Sequence, residues 1–168
     1  MKNQPVLDLP KTTTEVWLDV ASWLFVSIDF ALALAHYSDL PEQIPTHFNA
    51  AGEADKFGSK NTIFLLPAIS FVLVGVFVLL SKFPHKFNYL NKITPENAAF
   101  EYQRMRIMLR VVNVLTSLMF LVINWDILRA ASGAAKGLSV WFWMVFILLA
   151  VVPPVVMLGW SRKKNNHL

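Results

Sequence analysis

The chain has 168 residues, of which 55 % are hydrophobic and only 15 % charged, and its mean hydropathy is +0.48. A soluble domain carries about 25 % charged residues, so this balance excludes an ordinary water-soluble enzyme, and the apolar excess excludes disorder. The lack of cysteine excludes a disulfide scaffold or a cysteine-ligated metal, and the net charge of +4 asks where the cations sit.

About 20 mostly apolar residues cross a bilayer as a helix, because backbone groups in lipid must bond to one another. Four stretches qualify. The first runs from about Val16 to Tyr37 and carries Asp19 and Asp29. Some fifteen mostly polar residues precede it and two aspartates interrupt it, so it reads as an uncleaved helix rather than a signal peptide. The second runs from about Ile63 to Lys82. The third, about Ile107 to Leu128, carries Arg110, Asn113 and Asn124. Thr94-Pro95-Glu96 has the chemistry of a helix start, so this helix is expected to begin near Pro95, with Glu101, Arg104 and Arg106 on a solvated projection. The fourth runs from about Ser139 to Trp160 and contains Pro153-Pro154, which predicts a kink. The fold class is therefore all-α, an integral membrane bundle of four helices forming one domain over 1–168.

Lysine and arginine orient the bundle. Lys2, Lys11, Lys82, Lys86, Lys92, Arg104, Arg106, Arg162, Lys163 and Lys164 fall on one side, and Lys56, Lys60, Arg129 and Lys136 on the other. The positive-inside rule puts both termini in the cytoplasm. Trp17, Trp125, Trp141, Trp143 and Trp160 fall at span ends, where indole prefers to sit. The +4 charge is thus a topology signal, and no nucleic-acid partner is implied. Its other reading is a dock for a cytoplasmic regulator or anionic lipid at the basic tail and second loop.

The densest polar chemistry lies in the first loop, 40–60. Two prolines fix its entry as extended chain. Ile44 to Asn49 is expected to form a short strand, turned back by Ala50-Ala51-Gly52. Gly52 and Gly58 predict a positive φ or a close contact. An ion pair between Asp55 and Lys60 across the turn is a further expectation, worth about 0–1 kcal/mol if exposed.

The run Leu-Pro-x-x-Ile-Pro-Thr-His-Phe-Asn-x-x-Gly-x-x-Asp-x-x-Gly-Ser-Lys, from Leu40 to Lys60, resembles the signature of the membrane module that opens bacterial SdpI-like proteins. The resemblance covers 16–82, the first span through the second; helices 3 and 4, over 95–160, lie outside it. It implies a bacterial cytoplasmic membrane protein associated with immunity to a secreted peptide or with signalling to a repressor. The chain departs from longer members by stopping after four spans.

Three functional readings follow. In the first, the loop residues His47, Asn49, Gly52, Asp55, Gly58 and Lys60 form a non-enzymatic recognition surface for a peptide or envelope ligand. In the second, Asp29 and a helix-3 stripe serve a small transporter or proton-coupled subunit. Arg106, Arg110, Asn113, Ser117 and Asn124 recur at helical spacing on one face, and Asp19 is the natural partner of Arg110. In the third, His47, Glu53 and Asp55 hold a metal for a hydrolase, since imidazole and carboxylate suit zinc or manganese. Against each stands a structural role: loop pins for His47 and Asn49, and interhelical hydrogen bonds for the stripe. No cofactor and no catalytic residue are expected, and too few small-xxx-small pairs occur to indicate a dimer face.

Overall fold

The computed structural model describes the backbone over residues 4–165 and side chains over 4–159. Among these residues lie four α-helices: α1 (Thr13–His36), α2 (Leu65–Leu80), α3 (Ala98–Ala131) and α4 (Val140–Asn165). Each is long and apolar enough, with its flanking turns, to cross a membrane. This is the architecture of a multi-pass membrane protein. The side chains of Trp160 and of the basic run Arg162, Lys163 and Lys164 lie outside the described residues, as does Lys2.

α1 starts where its sequence can satisfy its own end. Thr12 Oγ1 accepts from the Glu15 backbone N–H at 3.3 Å, and Glu15 Oε2 accepts from the Thr12 N–H at 2.8 Å. This reciprocal cap satisfies two backbone donors that a helix end would leave unpaired. Beyond it the helix is inside-out. Glu15, Asp19, Ser22, Val26, Asp29 and Ala33 are buried, while Trp17, Val20, Leu24, Ile28 and Leu34 are exposed. The buried set recurs every three to four residues, one face of a helix. A protein in water would bury the other face; in lipid, polar groups turn inward because the solvent is apolar.

α3 is the hub, packing on α1, α2, α4 and the β-hairpin. Its stripe is buried as its spacing predicts: Arg106, Arg110, Asn113, Ser117 and Asn124 are each below a tenth exposed. α3 begins at Ala98, with Thr94 to Asn97 as a preceding turn. The expected start at Pro95 is corrected by one turn, because Asn97 Oδ1 accepts from the Thr94 N–H and closes the chain there first. Pro153 and Pro154 lie inside α4, which continues through them. Trp17, Trp125, Trp141 and Trp143 are all exposed, as residues at a lipid interface should be.

Between α1 and α2 the chain forms an antiparallel hairpin, β1 (Gln43–Phe48) and β2 (Ala54–Ser59). Its root is apolar. Ile44 is fully buried with Ala33, Leu40, Ile63, Ile127 and Leu128, which clamps the hairpin onto the ends of α1 and α3. Lys60 N–H to the Glu42 carbonyl at 3.0 Å closes the base.

Candidate functional site

Polar side chains gather at two levels of the bundle. One lies at the end carrying the chain termini, the other at the hairpin end.

At the terminal end, two acids meet two arginines. Arg106 donates from Nε to Glu15 Oε1 at 2.7 Å and from Nη2 to Oε2 at 3.1 Å, a bidentate pair. Arg110 Nη1 lies 3.0 Å from the same Glu15 Oε1, and its Nε lies 3.0 Å from Asp19 Oδ1. The latter is an ion pair by proximity, since its N–H is not aligned for a hydrogen bond. Lys11 Nζ reaches Asp19 Oδ2 at 2.8 Å. Arg106 Nη1 also donates to the Leu9 carbonyl at 2.8 Å, and the Tyr102 hydroxyl to that of Pro5 at 2.8 Å, strapping the N-terminal segment across α3.

The expected Asp19–Arg110 pairing is therefore present. The solvated projection is corrected at Glu101, which is buried and accepts from Asn91 Nδ2, and at Arg106, which is only 7 % exposed because Glu15 and the strap cover it. Glu15 was not among the candidate residues, although Thr12-x-x-Glu15 before an apolar run carries the capping-box signal.

Farther along the stripe, Asn113 Nδ2 approaches the Val74 carbonyl of α2 at 3.5 Å. Seven residues before the ends of their helices, Asp29 and Asn124 meet. Asn124 Nδ2 donates to Asp29 Oδ1 at 2.6 Å, and both residues are fully buried. Asp126 turns the other way and accepts from the backbone N–H and hydroxyl of Ser139, each at 2.9 Å, which caps α4.

The hairpin is shaped chiefly by backbone bonds and by one amide. Asn49 Oδ1 accepts from the N–H groups of Ala51 and Glu53 at 2.9 and 3.0 Å, holding the turn. Gly52 has φ of +81°, which glycine adopts without strain. Its carbonyl accepts from the Leu138 N–H at 2.8 Å, and Glu53 bridges to Gly137. A Cβ on Gly137 would collide with that carbonyl oxygen, so this tie to the α3–α4 loop needs a glycine there. Gly58 meets the close-contact expectation: a Cβ there would lie 2.9 Å from Thr46 Cγ2.

His47 Nδ1 lies 2.5 Å from Asp55 Oδ1 across the hairpin, both side chains well exposed. Asn49 therefore bonds loop backbone as expected, while His47 bonds a side chain instead. The expected Asp55–Lys60 pair is replaced. Asp55 is taken by His47, and Lys60 Nζ reaches Glu42 at 3.0 Å and lies over the Tyr37 ring at 5.2 Å. Glu53 Oε2 is 3.5 Å from Asn49 Nδ2. Among the described residues, no three His, Asp or Glu side chains gather as a metal site.

The exposed side chains of the hairpin thus include a His–Asp pair, the cation Lys56 and Phe57, which is 59 % exposed. Its interior is occupied with holding itself to α1, α3 and the α3–α4 loop. This surface presents a hydrogen-bonding imidazole, a carboxylate, a cation and an apolar ring.

A family model described as a domain of unknown function, DUF1648, matches residues 24–71. That stretch runs from the middle of α1 through the hairpin into α2. The chain is also similar to an uncharacterized protein of Archaeoglobus fulgidus, 27 % identical over 155 residues, which cover 84 % of this chain and 85 % of that one. No solved structure matches the chain.

Proposed function

We propose that this is a non-enzymatic sensor or immunity-type protein of the cytoplasmic membrane, whose hairpin recognises a peptide or envelope ligand. The observation that carries the reading is a division of labour in the hairpin. Its fold is held by Ile44, Asn49, Gly52 and the Leu138 bond, while His47, Asp55, Lys56 and Phe57 are left on the surface. An exposed ion pair contributes about 0–1 kcal/mol, so stability does not account for these side chains. Ordered loops on a rigid scaffold are where binding residues concentrate.

The lysine and arginine count supports a hairpin outside the cell with both termini inside, under the positive-inside rule. A ligand on the hairpin then bears on α3 and the α3–α4 loop, to which the hairpin is bonded. A cytoplasmic regulator would read the change from the second loop, where Lys82, Lys86 and Lys92 lie. The match to the domain model over the same unit is compatible with the SdpI-like resemblance.

Transcript profiles of cells carrying the wild-type gene, its deletion or His47→Ala test the proposal. The expected result is a deletion-like profile for His47→Ala with a normal level of membrane-inserted protein. A wild-type profile would remove the hairpin from the working surface.

A further inference from the structure

Asp29 sits in a layer of the bundle without any compensating charge. On α1 it is the only ionisable side chain between Asp19 and His36. α2 has none from Leu65 to Leu80, α3 none between Arg110 and Asp126, and α4 none from Val140 to Gly159. At 1.5 Å per residue, Asp19 is about 15 Å below Asp29 and Arg110 about 21 Å below Asn124. Toward the hairpin, Asp126 is bonded to Ser139, with Arg129 3.9 Å from it, and His36, two turns above Asp29, contacts the Leu32 carbonyl. No cation faces the Asp29 carboxyl from α1, α2, α3 or α4 among the described residues.

The hydrogen bonding is also one donor short. Asn124 Nδ2 donates to Asp29 Oδ1, and two oxygens remain buried without a donor: Asp29 Oδ2 and Asn124 Oδ1. An ionised carboxylate and an amide oxygen are both acceptors, so neither can satisfy the other. A single proton on Asp29 changes this. The neutral acid has an O–H that donates to the amide oxygen, while the amide N–H donates back, a ring of two bonds. Ser70 on α2 has a buried hydroxyl oxygen with no hydrogen-bond partner and brings no charge.

We propose that Asp29 is a proton-binding site, held as the neutral acid and closed by Asn124 into a two-bond ring. The site is independent of the hairpin reading. It gives the membrane layer one titratable group whose gain or loss of a proton would make or break the α1–α3 contact at that level. The rival occupant of the same oxygens is a sodium ion between Asp29 and Asn124.

Infrared difference spectra of the protein in lipid nanodiscs at neutral pH, wild type against Asp29→Asn, test this. The expected result is a carboxylic-acid carbonyl band in the wild type that is lost in Asp29→Asn. In Asn124→Leu that band should shift to the position of an acid lacking the bond. The melting temperature of Asp29→Asn should match the wild type, because a neutral amide replaces a neutral acid. Replacing a bulky organic cation by sodium should leave both melting temperatures unchanged. Loss of a carboxylate band instead, a sodium-dependent rise in melting that Asp29→Asn abolishes, or failure of Asp29→Asn to fold would each overturn the proposal.

Discussion

The two ends of this bundle handle polar groups in opposite ways. At the terminal end, Glu15 and Asp19 pair with Arg106, Arg110 and Lys11 at 2.7–3.0 Å, and the N-terminal strap accepts from Arg106 as well. At the hairpin end the hairpin is secured by backbone bonds, two strategic glycines and an apolar root, and its own charged side chains Asp55 and Lys56 stay on the surface. The difference separates structural polarity from polarity that the fold does not need. A buried pair is costly to break because the orphaned charge remains. An exposed pair can be removed with little cost, so its presence asks for another reason.

The contrast can be broken most severely at Glu15. Glu15→Ala strands Arg106 and leaves Arg110 with Asp19 alone, and we expect a loss of about 3–5 kcal/mol, the usual result of removing one partner of a buried pair. Thermal melting in detergent measures it. Replacing Glu15 and Arg106 together by methionine should cost less than the two single losses summed, with a coupling of about 0.5–3 kcal/mol in a double-mutant cycle. Gly137→Ala should come next. Its Cβ displaces the Gly52 carbonyl, so limited proteolysis should cut the hairpin faster, with a loss of about 0.5–3 kcal/mol. Gly52→Ala forces alanine to a positive φ and should cost about 1–2 kcal/mol on the same melting assay. His47→Ala sharpens the contrast from the other side: its stability should change by no more than about 1 kcal/mol while the cellular profile is lost.

Much of this was legible along the chain. The spans follow from apolar windows, and the helix-3 stripe follows from spacing, because both are local properties. The strand at 43–48 and the turn glycine at 52 were marked by proline, asparagine and glycine chemistry. What was hidden is non-local. Glu15 and Arg106 are 91 residues apart, and only the packing of α1 on α3 makes Arg106 a buried partner rather than a solvated cation. Gly137 looks like an ordinary loop glycine until the Gly52 carbonyl is placed against it. The partners of Asp55 and Lys60 were misassigned because cross-strand register, with its irregularity at His47, decides which side chains meet.

The central claim is that the hairpin is presented outside the cell, with the ion-paired end toward the cytoplasm. Because the chain has no cysteine, a single introduced one is a unique reporter. Intact cells carrying Lys56→Cys or Lys86→Cys can be treated with a membrane-impermeant maleimide. The account predicts labelling at position 56 in intact cells and at position 86 only after permeabilisation. Labelling at 86 but not at 56 would turn the protein over and contradict recognition of an external ligand by the hairpin.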